Sequence, residues 1–364
     1  MASTTIPTIT GDELVDRLDD PGLFLLDVRE PDEVAEWQIP GVYNIPLGSL
    51  ESRINEVPHH RDIVVICAKG ARAQQGAEFL ATRDIASRVL EGGMGAWGST
   101  YDHVTAEFAG ATVVQLRRRG KGCLSYVVGA GQRAVVIDPS RDLSHYLEVA
   151  EEHGWVITHV LDTHLHADHL SGARELAAAA HASLWLNPAD PFHFDFEPLV
   201  DGKSIELAPG VDLVVSSVSV PGHTEGSTMY QLGQQAIFTG DTLFLESVGR
   251  PDLADEAEGY AHHLFHSLHE RVLPLSDDIM VFPAHFGAGV EAKSGHFVAR
   301  RLGELRDSLA PLALSEEEFV RWAIANVKDR PGNYRQIVGI NAGQAELDEN
   351  AAELELGPNR CAIA

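Results

Sequence analysis

Short apolar runs alternate with helical stretches through the first hundred residues. Residues 24–28 and 63–67 form two such runs, and the second is rich in β-branched side chains. Runs of this length, bounded by turn residues, are typical of strands buried on both faces of a parallel sheet. Helical stretches at residues 11–18 and 73–82 accompany them. The alternation predicts a small α/β domain over residues 1–106.

From residue 112 onward, strand-like segments follow one another more closely. They cover residues 112–116, 123–128 and 134–138, and a helix at 143–153 leads to a further strand at 156–161. Three more strands are predicted at 211–218, 229–232 and 236–239, and a helix at 315–327. This order is typical of two sheets packed together and flanked by helices. We therefore predict a second domain over residues 107–364, ending in an acidic tail.

Composition places the chain among ordinary globular proteins and limits its partners. Its 364 residues suit two domains of about 150 residues or more each. A hydrophobic share of 44% and a charged share of 22% exclude a disordered or fibrous chain. The 54 acidic and 27 basic side chains give a net charge of −27. Because this charge repels nucleic acid and anionic membranes, we predict neither as a partner.

Cysteine usage and the N-terminal sequence favour a cytoplasmic protein. The three cysteines, Cys67, Cys123 and Cys361, are too few and too scattered for a disulfide framework. The N-terminus lacks the basic and apolar regions of a signal peptide, and no apolar run approaches the roughly 18 residues of a membrane span. We interpret Cys123 as a core residue of an apolar strand and place Cys361 in a tail of the kind that frays.

The loop that follows the second apolar run carries a candidate nucleophile. Cys67 ends the run, and Lys69, Gly70 and Arg72 come before and at the start of the next helix. Unpaired backbone N–H groups and the positive end of the helix dipole meet there and favour a thiolate or persulfide anion. Lys69 and Arg72 add positive charge for an anionic sulfur donor. Gly70 lets the loop curl with its amides inward.

Residues 9–97 resemble the rhodanese, or sulfurtransferase, family. The matching features are Leu-Asp-Val-Arg-Glu at 26–30, Ile-Pro-Gly at 39–41, the loop at 67–72 and Leu-Glu-Gly-Gly at 90–93. The resemblance implies that Cys67 carries sulfane sulfur, with Lys69, Gly70 and Arg72 around the bound donor. It departs at Ala73, where single-domain rhodaneses commonly have Ser or Thr.

Histidine and aspartate residues cluster after strand-like segments of the second domain. Four lie within six residues and three more lie in later loops; in chain order they are His164, His166, Asp168, His169, His223, Asp241 and His285. Imidazole and carboxylate groups at this spacing can converge on one or two metal ions. The pattern predicts a metal site.

Residues 112–286 resemble the metallo-β-lactamase superfamily in this motif order. The resemblance implies an αββα sandwich, so that the predicted fold class is α/β, a small rhodanese-like parallel-sheet domain followed by this sandwich. A first metal position would use His164, His166, His223 and Asp241. A second would use Asp168, His169, Asp241 and His285. Ligand presence alone therefore leaves a dinuclear zinc hydrolase and a mononuclear iron enzyme open.

Three flanking segments, at 163–172, 249–252 and 264–270, resemble the persulfide dioxygenase branch. That resemblance implies one Fe(II) per chain held by His164, His223 and Asp241, a set that leaves positions open for substrate and dioxygen. His166, Asp168, His169 and His285 would then orient ligands or waters. Arg250 would bind a carboxylate of the thiol substrate. The sequence departs at Phe286-Gly287, where the branch commonly has Asp-Tyr.

The two resemblances together imply an enzyme of sulfur metabolism. One site would oxidise a low-molecular-weight thiol persulfide with dioxygen to sulfite, and Cys67 would transfer sulfane sulfur between persulfide and thiosulfate. The alternatives left open are a Zn²⁺-dependent thioester hydrolase resembling glyoxalase II and a non-catalytic sulfur carrier. The identity of the thiol, the direction of sulfur transfer and a homo-oligomeric state are also left open.

Overall fold

The computed structural model describes residues 5–216, 219–253, 256–287, 289–327, 330, 332–347 and 351–363. The chain divides into two compact units. The first extends to Asp102 and also includes Arg118–Gly122 and Leu356–Pro358. The second contains the remaining residues, and each unit has hydrophobic clusters of its own.

The first unit is built on a five-stranded parallel sheet, as predicted. Its strands are β1 (Thr8–Ile9), β2 (Leu23–Asp27), β3 (Tyr43–Asn44), β4 (Asp62–Ile66) and β5 (Ser87–Leu90), in the spatial order β1-β5-β4-β2-β3. The accompanying helices are α1 (Gly11–Val15), α2 (Pro31–Glu36), α3 (Ala71–Ala81) and α4 (Gly93–Trp97). Two short 3-10 turns lie at Leu47–Ser49 and Ile54–Glu56.

The apolar run in β4 is buried on both faces of this sheet. Ile63 and Val65 pack into one hydrophobic cluster, whereas Val64 and Ile66 pack into another. Successive side chains of a strand point to opposite faces, so a central strand covered on both sides needs a continuous apolar sequence. This confirms the physical basis on which the strand was predicted.

The second unit contains two sheets that pack against each other. The seven-stranded sheet consists of β6 (Tyr101–Phe108), β7 (Ala111–Arg118), β8 (Cys123–Ala130), β9 (Arg133–Ile137), β10 (Val156–Leu161), β11 (Ser183–Leu186) and β12 (Glu197–Pro198), in reverse chain order. The six-stranded sheet runs in chain order through β13 (Ser204–Ala208), β14 (Val211–Ser216), β15 (Met229–Leu232), β16 (Ala236–Gly240), β17 (Met280–Pro283) and β18 (Arg300–Arg301).

Helices flank both sheets and complete the predicted αββα sandwich. They are α5 (Ser144–His153), α6 (Ala173–Ala180), α7 (Ala257–Ser267), α8 (Leu302–Ser308), α9 (Glu316–Ala325), α10 (Tyr334–Asn341) and α11 (Ala351–Leu354), with a π-helical turn at Leu268–Val272. Val128 and Tyr230 share the cluster between the sheets. Val127 and Val136 pack with Tyr146 of α5 in a separate cluster on the outer face.

Strand β6 is an element that the hydrophobic pattern did not indicate. Its side chains are mostly exposed or half-buried, with Val104 as the buried exception, so it lacks a continuous apolar run. The boundary predicted after residue 106 falls within this strand. Residues 217 and 218 of the predicted strand 211–218 lie outside the described residues. Among the residues that the structure describes, no helix combines the length and apolarity needed to cross a membrane.

Candidate functional site

Strand ends bring the predicted histidine and aspartate residues together. The loop after β10 carries His164, and Asp241 directly follows β16. Strand β17 lies parallel to β16, with Gly240 opposite Pro283, so His285 in the loop after β17 lies next to Asp241. Carboxyl ends of neighbouring parallel strands share one sheet edge, which is where α/β folds collect functional side chains.

His164, His223 and Asp241 form a compact buried triad. His164 Nε2 lies 3.6 Å from Asp241 Oδ2, and His223 Nε2 lies 3.3 Å from the same oxygen. The three ligand atoms lie within 4.8 Å of one another. Each of these three atoms is buried and has no hydrogen-bond partner among the described residues. Buried polar atoms without partners are costly, at about 1–3 kcal/mol each, so this donor set fits a metal ion.

Hydrogen bonds on the far side of each ring turn the Nε2 lone pairs toward Asp241. His223 Nδ1–H donates to the carbonyl oxygen of Arg250 over 3.0 Å. Thr163 Oγ1 donates to Asp138 Oδ2 over 2.9 Å and can therefore accept from His164 Nδ1–H, also at 2.9 Å. In both rings the proton is on Nδ1, which leaves Nε2 free to bind a metal.

The electrostatics of the triad suit metal binding. Burial lowers the pKa of His164, and the neighbouring His166 lowers it further; burial likewise lowers the pKa of His223. Both rings therefore stay neutral near pH 7. Burial alone would raise the pKa of Asp241, but His285 and the two triad histidines outweigh it and hold that pKa well below its usual range. Two neutral imidazoles and one carboxylate are ready ligands.

A second group of donors adjoins the triad. Cys123, Asp168, His169 and His285 offer ligand atoms within 4.8 Å of one another, and all four are buried. His285 contacts Asp241 Oδ1 through Nδ1 at 2.6 Å and Asp168 Oδ2 through Nε2 at 2.8 Å. Burial lowers the pKa of His285, but the carboxylates of Asp168 and Asp241 raise it well above its usual value.

Cys123 has a more polar environment than the sequence indicated. It lies in the fully buried strand β8, as predicted, but its sulfur is 3.8 Å from Asp168 Oδ2. Burial raises the pKa of the Cys123 thiol, but His169 and His285 together lower it to about 7. Reciprocally, burial lowers the pKa of His169, but Cys123 and Asp168 raise it to about 10.

His166 is oriented away from the triad. Its Nε2 lies 3.2 Å from Asp138 Oδ1 and 3.8 Å from Asp162 Oδ1, whereas its Nδ1 has no hydrogen-bond partner among the described residues. Its ring centroid is 4.2 Å from that of His164. His166 therefore borders the triad without having an atom grouped with it.

In the cysteine loop of the first unit, one backbone amide contacts the Cys67 sulfur. Cys67 is buried and follows β4, and the Gly70 N–H donates to Cys67 Sγ over 3.1 Å. Gly70 has a φ of +98°, a conformation that only glycine adopts readily. Met94 N–H donates to the Cys67 carbonyl over 2.9 Å, which ties the loop to α4. The loop is thus held from both sides.

The two basic residues of this loop differ in their environment. Arg72 forms a two-pronged ion pair with Glu33, with both N–O distances at 2.7 Å. This hydrogen-bonded pair lowers the pKa of Glu33 to about 2. Lys69 is exposed at the loop surface. The role predicted for Arg72 toward an anionic donor stays a prediction, with Glu33 as the competing partner.

Arg250 is also engaged within the chain. Its side chain is buried, its Nε and Nη2 atoms contact Asp252 at 2.7 and 2.9 Å, and its Nη1 donates to the Arg360 carbonyl at 3.0 Å. The expected contact of Arg250 with a thiol carboxylate stays a prediction. What the sequence did not indicate is that Arg250 anchors the C-terminal segment and, through its own carbonyl, orients His223.

Cys361 is the residue of this region that sequence reasoning missed. It is buried, and its sulfur lies within 4.8 Å of ligand atoms of Asp241 and His285. The expectation of a frayed tail is wrong for this residue. Nothing local in the sequence marks it, because its neighbours come from loops more than 75 positions away.

Comparison with known proteins identifies two families in this chain. The family model of the rhodanese-like domain matches residues 10–100, and the family model of the metallo-beta-lactamase superfamily matches residues 118–285. A hydroxyacylglutathione hydrolase from Aliivibrio fischeri is 32% identical over 212 residues, which are 53% of this chain and 80% of that protein. The mitochondrial persulfide dioxygenase ETHE1 of Homo sapiens is 29% identical over 204 residues, covering 54% of this chain and 74% of that protein.

The solved structure of ETHE1 from Myxococcus xanthus superposes with a TM-score of 0.56 at 26% identity. The match covers 64% of this chain and 99% of that one. Across eight curated relatives, the matched share of the relative's own length runs from 46% to 86%.

Proposed function

The chain belongs to the metallo-beta-lactamase superfamily and carries a rhodanese-like domain, and on this basis we propose that it is an iron-dependent persulfide dioxygenase with sulfurtransferase activity. Its overall oxidation would be RSSH + O₂ + H₂O → RSH + H₂SO₃, in which the outer sulfur loses four electrons and dioxygen gains them. The substrate would be the persulfide of a low-molecular-weight thiol.

The observation that carries the proposal is the buried set of His164 Nε2, His223 Nε2 and Asp241 Oδ2. Two imidazoles and one carboxylate on one side of an ion are typical ligands of non-haem Fe(II) oxygenases, because they leave positions for substrate and dioxygen. Bound Fe(II) would supply the electron transfer that dioxygen chemistry needs. The chain would contribute the neutral rings and, through Thr163 and the Arg250 carbonyl, their fixed orientation.

The second reaction would use the Cys67 thiolate as nucleophile. Attack on the sulfane sulfur of thiosulfate forms the Cys67 S–S bond and releases sulfite: Cys67–S⁻ + S₂O₃²⁻ → Cys67–S–S⁻ + SO₃²⁻. The Gly70 N–H, 3.1 Å from Cys67 Sγ, would stabilise the anion. Sulfite is a product of both reactions, and it is the sulfur acceptor when sulfur transfer runs in reverse. One chain would therefore both produce sulfite and interconvert sulfite and thiosulfate.

A dinuclear zinc thioester hydrolase is the second candidate. The specific observation in its favour is the group of Cys123, Asp168, His169 and His285 beside the triad, which could hold a second ion. In that case the chain would supply ligands for two ions that activate a water molecule. A cytoplasmic location stays a prediction, as do the choice of thiol and the oligomeric state.

One paired measurement decides between the candidates. The protein as purified is analysed for metal content, then given glutathione persulfide with oxygen uptake recorded and, separately, an acylglutathione thioester. We expect about one iron per chain, oxygen uptake with sulfite formation, and no thioester hydrolysis. Two zinc ions per chain with thioesterase activity and no oxygen uptake would refute the dioxygenase.

Two histidine variants separate the metal site from a general effect on the fold. His164→Ala removes one of the three unpartnered ligand atoms and should abolish oxygen uptake. His263→Ala is the matched control, because it removes a histidine that lies outside the triad. The His263 side chain is 49% exposed on α7, and its Nδ1 lies 3.7 Å from Glu225 Oε2. Oxygen uptake that persists in His164→Ala, with His263→Ala unchanged, would show that the triad does not hold the reactive metal.

A further inference from the structure

The C-terminal segment is built into the second unit beside the triad. Gly249 and Ala362 form an antiparallel bridge, Ile363 N–H donates to the Val248 carbonyl over 3.0 Å, and Arg250 N–H donates to the Cys361 carbonyl over 2.9 Å. The segment thus adds a short strand to the loop that follows Asp241. Its position is set by backbone hydrogen bonds, which fix the side chains that it carries.

The side chain of Cys361 points to the junction of the two donor groups. Its sulfur, a carboxylate oxygen of Asp241 and a ring nitrogen of His285 lie within 4.8 Å of one another, and all three residues are buried. Asp241 belongs to the triad, whereas His285 belongs to the group that also contains Cys123 and Asp168. Asp241 Oδ2 accepts no hydrogen bond from the described residues.

The surroundings of Cys361 differ from those of a core cysteine. Cys67 packs among aliphatic side chains of a hydrophobic cluster. Cys361 belongs to none of the hydrophobic clusters found among the described residues, although it is only 3% exposed. Its neighbours are ionisable groups instead. Asp241 also keeps a buried oxygen without a hydrogen-bond partner, and a carboxylate, an imidazole and a thiol together form a donor set that suits a cation.

We propose that Cys361 is a sulfur ligand of the metal centre, supplied by the C-terminal strand. On metal binding the S–H proton would leave to solvent and a sulfur–metal bond would form, with no change in oxidation state. The inference rests on the proposed metal site, but it does not depend on which reaction the site catalyses. A thiolate ligand would add one donor beside Asp241, the residue that Cys361 shares with the triad, and would still leave positions for substrate and dioxygen.

Cobalt substitution tests this ligand directly, without any activity measurement. The apoprotein is titrated with Co²⁺, and the absorption spectrum is followed, since thiolate-to-cobalt charge transfer absorbs in the near ultraviolet and imidazole or carboxylate ligands lack this band. We expect the band in the wild-type protein and its loss in both Cys361→Ser and Cys361→Ala. Both variants should still bind cobalt, with an affinity reduced about 10-fold or more.

Two other cysteine variants serve as matched controls. Cys67→Ser removes a thiol of the first unit, and Cys123→Ser removes the thiol beside Asp168 and His169; both should keep the band. A band that persists in Cys361→Ser, or that disappears in Cys123→Ser alone, would overturn the assignment. Cobalt binding with no sulfur band would overturn this inference alone, whereas failure to bind cobalt would overturn the proposed metal site as well.

Discussion

Replacing Gly93 with alanine should displace the backbone of the Cys67 loop, which packs directly against Gly93. Gly93 has a φ of +59°, and a Cβ added to it would lie 2.2 Å from the Cys67 carbonyl oxygen and 2.9 Å from the Ala68 carbonyl carbon. Both atoms belong to the backbone of the loop, so no side-chain rotation relieves the contact. The loop and α4 must therefore move apart.

The size of the effect follows from these distances. A left-handed conformation costs a residue with a Cβ about 1–2 kcal/mol. For a unit of this size, that lowers the melting temperature by at least about 4 °C. Relief of the clash needs the contact to lengthen from 2.2 Å to at least 3.0 Å. Displacements near 1 Å at a reacting group cost roughly 100-fold in rate, so sulfur transfer should fall on that order.

Gly95→Ala is the matched control from the same helix. An added Cβ at Gly95 would lie 3.8 Å from the Ala68 carbonyl oxygen, an ordinary contact, and Gly95 has no positive φ. Within a helix this change should leave stability unchanged or raise it by about 0.5–1 kcal/mol. Calorimetry and a thiosulfate-to-thiol transfer assay would be run on both variants. If Gly93→Ala melts and reacts like Gly95→Ala, the close approach does not position the loop.

Three further predictions concern separability, metal and pH. Cys67→Ser should abolish sulfur transfer and leave oxygen uptake intact, because a hydroxyl cannot replace the thiolate, whereas His164→Ala should abolish oxygen uptake and leave sulfur transfer intact. Loss of both activities in a folded Cys67→Ser protein would refute the model of two independent sites. Chelation should lower the melting temperature of the wild-type protein by about 6–12 °C, since three unpartnered buried atoms cost about 1 kcal/mol or more each, and should leave Asp241→Ala unaffected. Arg72 lowers the pKa of Glu33 to about 2, so their ion pair stabilises the fold above the ordinary glutamate pKa, and this stabilisation is lost as pH falls toward 2. The free energies of unfolding of Arg72→Ala and the wild type, measured by denaturant titration, should therefore differ at pH 7 and converge near pH 2.

Local sequence determined much of the fold. The apolar run in β4 predicted a strand covered on both faces, and the structure confirms this with one hydrophobic cluster on each side. The helix that follows Cys67 was predicted from residue 73 and begins at Ala71. Strand β6 escaped detection because an edge strand with exposed side chains needs no apolar run, so hydrophobic periodicity carries no signal there.

The types of the site residues were also set by sequence. Histidine and aspartate residues in short loops after strands predict a metal site because strand ends converge at one sheet edge, and parallel pairing of β16 with β17 brings Asp241 and His285 there. Which atoms of these residues face one another depends on the tertiary structure. The triad separates from His166 because Asp138, 28 residues away in the chain, takes the Nε2 of that ring.

Only the tertiary structure decided the partners of Arg72, Arg250 and Cys361. Each of these side chains is long or lies in a loop, so it can contact whichever polar or charged group the folded chain brings near it. Glu33 pairs with Arg72 across 39 residues, and Arg250 holds the Arg360 carbonyl across 110. Periodicity and spacing report on neighbours within a few residues, whereas these contacts form only when distant segments of the chain meet. The same long-range closure places a C-terminal thiol beside Asp241, where no pattern along the chain could indicate it.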